Sequence, residues 1–364
     1  MSPQGIVWMN ALDLVTKSGK TILDIGMAPI LDRGVDITVV DAGARGGMHD
    51  LPSAYAKHAH WIGFEPNPAE HDKIIRHTTG AERAGFIPPK WKRETVKKVA
   101  LWNEPGVRKL YVSSNVAYTS LMGEVIPEIA ERIFLDFGGR HGSHGVGVAP
   151  MGSTAKKTVS IEEVNCERLD DVIDTKNTVD YFKVDVEGAE TLVFEGAKSL
   201  LESGRILFIR TEFFCVPYYE SHPLFGHQHV LLHEHGFRLL NVDFGASRYT
   251  RCKSRIPKLV DKGLLFVGNA LYALDPDRVK ISDIDLQRMG LVSLTFGLRS
   301  FGLSVLRDAK LLSAMQLQDI EDALSRVPFR RRLRRSWENF PAMFAEFIYT
   351  GRLTYRGHHW RYEA

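Results

Sequence analysis

A chain of 364 residues has room for one large α/β domain with an extension, and enough length to bury a sizeable core. It is 44% apolar and 25% charged with a net charge of +3, the balance of an ordinary globular protein, which excludes a disordered chain and a nucleic-acid-binding module throughout. Its three cysteines (Cys166, Cys215, Cys252) form no C-x-x-C pair, so neither a disulfide framework nor a structural zinc is expected.

Residues 1–36 read as a lead-in segment, without a basic stretch running into an apolar one. No apolar run is long enough to span a bilayer, so the expected compartment is the cytoplasm. Through residues 37–275 strand-like and helical runs alternate, which predicts a mostly parallel sheet with helices on both faces. Residues 37–43 and 61–65 are expected as the first two strands, joined by a crossover helix over 49–60. Residues 96–102 and 109–113 suggest a strand and then a hairpin around Asn103-Glu104-Pro105-Gly106. A short strand is expected at 158–164, an apolar strand ending in acid at 181–186, and a helix at 189–201. Strands at 206–213, 237–244 and 264–274 complete the sheet, with a helix at 227–235 before Gly236.

Two stretches break this rhythm. Residues 138–153 hold six glycines with His141 and His144, and read as a surface loop or as a lid over a substrate. Residues 276–364 turn helical, over 284–308 and 311–327, and carry 15 Lys and Arg against 10 Asp and Glu. Within this basic extension lie Arg330, Arg331, Arg332, Arg334 and Arg335. They suit a solvated helix face, contact with a polyanionic substrate, or peripheral contact with the anionic inner face of a membrane.

The chemistry is concentrated at strand ends. Val39-Val40-Asp41-Ala42-Gly43-Ala44-Arg45-Gly46-Gly47 runs from an apolar strand into a glycine turn, and Trp61-Ile62-Gly63-Phe64-Glu65-Pro66 is a second strand ending in a carboxylate. Glycine lets a ligand approach backbone that a side chain would block. A carboxylate such as Glu65 can take both hydroxyls of a ribose. Asp41, however, stands before the glycines, where a pyrophosphate would be repelled, and there is no G-x-G-x-x-G. Two acids around a glycine turn suit a nucleoside bearing positive charge, and S-adenosylmethionine is one.

A second acid-rich strand end is Phe182-Lys183-Val184-Asp185-Val186-Glu187-Gly188-Ala189-Glu190. Asp185 and Glu187, two apart, share one face if the strand persists, and Glu212 on a later strand adds a third acid. An acid here can also cap the following helix, a role that Glu190 could fill. Such a group suits methyl transfer to oxygen, because an alcohol needs its proton removed by a carboxylate or a histidine. The same acids could instead bind a divalent metal ion that lowers the acceptor's pKa. His222, His227 and His229 follow as further candidate bases. Phe213, Phe214, Tyr218, Tyr219 and Phe225 suit a sugar-stacking surface or a core.

In their order these motifs resemble the FkbM-type methyltransferases, a Rossmann-like family using S-adenosylmethionine, from about residue 37 to residue 273. The resemblance implies a class I methyltransferase fold over 37–275 with the helical, basic extension beyond. It implies methionine-moiety contacts for Asp41, Gly43 and Gly47, ribose contact for Glu65, an adenine side at Ala100-Leu101, and a further cofactor contact for Asp185. Thr119-Ser120-Leu121, Arg168-Leu169-Asp170-Asp171 and the stretch from Glu212 to Phe225 fall in the family's order. Many members have Asn where this chain has Arg45. The catalytic candidates are Asp185, Glu187, Glu212 and His222. The resemblance implies transfer to a hydroxyl of a small-molecule, sugar or glycan acceptor. The alternatives are an RNA ribose methyltransferase, which the acidic mouth argues against, an NAD-dependent oxidoreductase, which lacks its glycine fingerprint, and a non-catalytic cofactor-binding module.

Overall fold

The computed structural model describes residues 10–83, 87–129, 157–243, 248–249 and 264–326. The strands are β1 (Ile37–Ala42), β2 (Ala59–Phe64), β3 (Arg93–Lys97), β4 (Ala100–Leu101), β5 (Gly106–Ser113), β6 (Thr158–Glu167), β7 (Tyr181–Val184), β8 (Phe208–Phe214), β9 (Phe237–Asp243), β10 (Arg248–Tyr249), β11 (Leu264–Leu265) and β12 (Val267–Leu274). Seven of them form one sheet in the order β3-β2-β1-β7-β8-β12-β9. Neighbours from β3 to β8 are parallel, and β12 runs antiparallel between β8 and β9. This is the Rossmann-like, mostly parallel sheet that the alternation of elements predicts.

Side chains of successive strand residues leave on opposite faces, so each strand feeds two cores. Ile37, Val39, Trp61, Tyr181 and Phe208 pack on one face against the helices Ile22–Leu31, Asp283–Thr295, Arg299–Asp308 and Ala314–Ser325. Val40, Ile62, Phe64, Phe182 and Val184 pack on the other against Val193, Phe194, Leu200 and Leu232. Burial on both faces is why these strands read as apolar runs.

Several local expectations are corrected. The crossover between β1 and β2 holds only the short helix Ser53–Ala56. The helix expected over 189–201 is two pieces, Glu190–Glu195 and Lys198–Glu202, and that over 284–308 breaks before Arg299. Residues 96–102 are not one strand: β3 closes the large sheet and β4 belongs to a second sheet of order β4-β6-β5. The hairpin at 103–106 is absent because β6 lies between β4 and β5, parallel to the first and antiparallel to the second.

The lead-in contains a helix that the sequence reading missed, Ile22–Leu31, opened by a capping box between Thr21 and Asp24. It is apolar nearly all round and carries Pro29, so it shows no helical stripe. Its Gly26 lets the helix Asp283–Thr295 come close: a Cβ there would stand 2.5 Å from Leu291 Cδ2, and Gln287 Nε2 donates to the Gly26 carbonyl at 2.7 Å. The first helices of the extension therefore share the core of the sheet. An ion network fastens them to it. Arg288 donates to Asp180 at 2.6 Å through both Nε and an Nη, and to Asp285 at 3.0 Å, while Asp180 accepts the Thr38 N–H at 2.7 Å.

Candidate functional site

β1 and β7 are neighbours across the point where strand order changes direction, and open α/β sheets bind ligands outside the carboxyl ends of such strands. The two ends are drawn tightly together. Gly43 and Ala44 N–H both donate to the Phe64 carbonyl, at 3.1 and 3.0 Å, and Asp185 N–H donates to Ala42 O at 3.1 Å. Gly43 has φ +81°, and a Cβ on it would lie 1.9 Å from the Asp185 carbonyl oxygen. No side chain fits there, so the turn offers bare backbone to the cleft beside it.

That cleft encloses about 760 Å³, including open space at its mouth. Gly43, Arg45, Glu65, Asn67, Ala100, Leu101, Asp185 and Glu187 line it, with Leu110 and Leu121 on the apolar side. Glu65 stands just past β2, only 5% exposed, with Oε1 accepting the Asn67 N–H at 2.9 Å. Burial pushes its carboxyl up to about 7, against the pull of that hydrogen bond. Asn67 in turn caps the helix Pro68–Ile75, so the carboxylate is held on a fixed turn. Ala100 and Leu101 are buried and come from the small sheet, which supplies a flat apolar wall.

Opposite them is the acid group. Carboxylate oxygens of Asp185, Glu187 and Glu212 lie within 4.8 Å of one another, close enough to share a divalent cation. Glu187 has φ +56°, a strained conformation for a non-glycine residue, and its carbonyl accepts the Ser120 hydroxyl at 2.7 Å. Glu190 ties down the turn before its helix instead of capping it: its Oε1 accepts the N–H groups of Val186 and Gly188 at 3.1 and 3.2 Å, and the helix has no side-chain cap. Burial raises the Glu190 carboxyl. Asp185 and Glu187 do not cap the helix either. Tyr118 neighbours this group, and burial, then Glu187 and Glu212, push its hydroxyl up to about 12.

Three expected site residues are placed elsewhere. Asp41 is fully buried beneath the glycine turn and does not line the cleft. Burial pushes it up to about 6, but Lys183 Nζ lies 3.2 Å away, so the pair is ionic at neutral pH. Gly47 (φ +82°) shapes the turn without reaching the cleft. His222 sits behind Gly188, among Phe214 at 4.6 Å and Tyr219 at 5.6 Å between ring centroids. Its Nδ1 accepts the Tyr218 N–H at 3.3 Å, and burial lowers its pKa to about 4. A nitrogen already bonded to backbone, on a ring this hard to protonate, is a poor general base. Phe213, Phe214, Tyr218 and Tyr219 are buried core, so the stacking surface is not built from them. His227 and His229 lie outside the cleft lining. Residues 138–153 and the Arg330–335 run lie outside the described residues.

Lys183 is the charged residue at this strand end to which the sequence analysis gives no role. Its ammonium bridges Asp41 and Asp185, 3.4 Å from the second, and the three acids Asp41, Asp185 and Asp50 around it keep it charged. The signal was there: a lysine two residues before Asp185, inside an apolar strand, must share Asp185's face and find a partner.

The sheet and its switch-point cleft, with a bare glycine turn and the Glu65 carboxylate across from an acid group, fit a Rossmann-like methyltransferase. The model of the methyltransferase FkbM domain matches residues 41–239, more than half of the chain, and the chain belongs to that family. S-adenosylmethionine is the family's methyl donor, and Gly43, Glu65 and the Ala100–Leu101 wall fit it. No curated protein matches. Among solved structures the chain is similar to a magnesium protoporphyrin IX methyltransferase from Synechocystis PCC 6803 with bound S-adenosylmethionine, at 8% identity and TM-score 0.30 over 69% of this chain and 77% of that one. It is also similar to a TehB-like S-adenosylmethionine-dependent methyltransferase from Corynebacterium glutamicum, at 12% identity and TM-score 0.28 over 71% and 91%. A putative tRNA (m1A22) methyltransferase from Streptococcus pneumoniae matches at 9% identity and TM-score 0.26 over 80% and 93%. These likenesses are distant, and the assignment rests on the family match and the cleft.

Proposed function

We propose that the chain transfers a methyl group from S-adenosylmethionine to a hydroxyl of a sugar, glycan or secondary metabolite. The observation that carries this reading is the gathering of Asp185, Glu187 and Glu212 beside the glycine turn. The donor would lie with adenine on Ala100 and Leu101, ribose hydroxyls on Glu65, and its methionine end at Gly43 and Asp185. Bound there, it supplies an already activated methyl group. The protein's part is then alignment and proton removal. Glu187, in the cleft lining and backed by a fixed turn, accepts the acceptor's hydroxyl proton, with Asp185 and Glu212 orienting the incoming oxygen. A divalent cation on the same three acids would do that work by lowering the hydroxyl's pKa. Loss of transfer on chelation, restored by magnesium or manganese, would select this route over the metal-free one.

The test is incubation with methyl-labelled S-adenosylmethionine and a panel of hydroxylated glycans and metabolites, locating the label by mass spectrometry. Label on oxygen, abolished in Glu187→Gln, is expected. Label on nitrogen or carbon, or transfer indifferent to Glu187→Gln, overturns the proposal. The arginine run at Arg330–335 is proposed to touch anionic membrane surface, and flotation with phosphatidylserine vesicles tests it. Among the described residues no helix is long and apolar enough to cross a membrane.

A further inference from the structure

The cleft is acidic except at one place. Glu65, Glu70, Asp185 and Glu187 line it, and Arg45 is the one cationic residue among the described residues that do so. Arg45 is exposed, two residues past Gly43 in the turn that Gly43, Gly46 and Gly47 shape with positive φ. Among the described residues it has neither an ion-pair nor a hydrogen-bond partner, unlike Lys183, which Asp41 and Asp185 engage. A guanidinium beside so many carboxylates that bonds none of them is available to an incoming anion. Its planar fork matches a carboxylate with two parallel hydrogen bonds.

The proposed donor carries such a group. Its sulfonium and ammonium suit the acids, but its carboxylate would be repelled by every charged side chain in the lining except this one. We infer that Arg45 binds the carboxylate of the methionine moiety and fixes that end of the donor at the glycine turn. This rests on the cofactor reading given above.

Binding measurements on the full chain separate the possibilities without needing the acceptor. Calorimetry would compare S-adenosylhomocysteine, which keeps the carboxylate, with methylthioadenosine, which lacks the amino acid end, in the wild type and in Arg45→Met. The expected result is about a tenfold or larger loss of affinity for S-adenosylhomocysteine, with methylthioadenosine affinity unchanged. Arg45→Lys should restore part of the loss, since charge returns without the fork. Unchanged affinity for both ligands would overturn the inference. Equal loss for both would overturn it too, by showing a general disturbance of the turn. Failure of the wild type to bind either ligand would instead sink the cofactor reading itself.

Discussion

Strand β7 is bracketed by two aspartates that fare very differently. Asp180, just before it, is wholly buried and bonded by Arg288 and the Thr38 N–H. Asp185, just after it, keeps a side chain 40% exposed, with one ammonium 3.4 Å away and two further carboxylates close by. At the first end of the sheet every charge is answered and the result is a fastening. At the other, acids outnumber cations around open space and the result is a site. The difference is one of compensation: paired buried charge fixes structure, while charge left to face a cleft waits for a ligand.

That contrast can be broken first at the fastened end. Arg288→Met removes one partner of a buried pair and strands Asp180, and should cost about 3–5 kcal/mol in urea unfolding. A loss below about 1 kcal/mol would mean that the network holds nothing together. Next comes the turn between the two ends. Gly43→Ala drives a Cβ into the Asp185 carbonyl at 1.9 Å, whereas Gly46→Ala meets nothing within 4 Å. Both have positive φ, so Gly46→Ala should cost only about 1 kcal/mol of strain. Gly43→Ala should cost more and abolish donor binding; equal effects would mean the close approach is unimportant.

At the open end the effect is a pH dependence. Burial raises Glu65 from 4.5 to about 7 in the folded protein, so a bound proton favours folding. That contribution is complete below the unfolded value and is lost as pH rises through about 7. Ribose hydroxyls need the ionised form as acceptor, so donor affinity runs the other way and falls about tenfold per pH unit below about 7. Calorimetry across this range should show the slope in the wild type and a flat, weaker profile in Glu65→Gln. The smallest effect belongs to His222. His222→Asn should lower thermal stability by about 1 kcal/mol, through the lost bond from the Tyr218 N–H, and leave donor affinity within about twofold. A large loss of donor affinity would return the histidine to the site.

Legibility followed the same division. The parallel sheet was readable because β1, β2 and β7 are apolar runs, the first and third followed by glycine turns and the second by Glu65-Pro66, and the turn of Gly43 with Glu65 opposite marked the cleft. The Asp185–Glu187–Glu212 group was expected from strand periodicity, but β7 ends at Val184 and Glu187 has φ +56°, so a turn and not a strand face brings Glu187 to the other two. The burial of Asp41 was not readable. A carboxylate before a glycine turn looks the same in sequence whether it meets a ligand or a lysine on the neighbouring strand, and only the β1–β7 pairing decides. His222 misled for a different reason: Phe214, Tyr218 and Tyr219 are near it in sequence, but their spacing does not tell that the loop folds them around the imidazole behind Gly188. The insertion of β6 between β4 and β5 was hidden because pairing across more than forty residues leaves no local signal. Helix Ile22–Leu31 left one clue, its Thr21–Asp24 capping box, in a segment whose apolar character has no period.

The most direct test is calorimetric titration of the full chain with S-adenosylmethionine, wild type against Glu65→Gln. Saturable binding that weakens by about tenfold or more without the carboxylate is predicted. A wild type that takes up no donor, or a variant that binds it equally well, would contradict the placement of adenosine in this cleft.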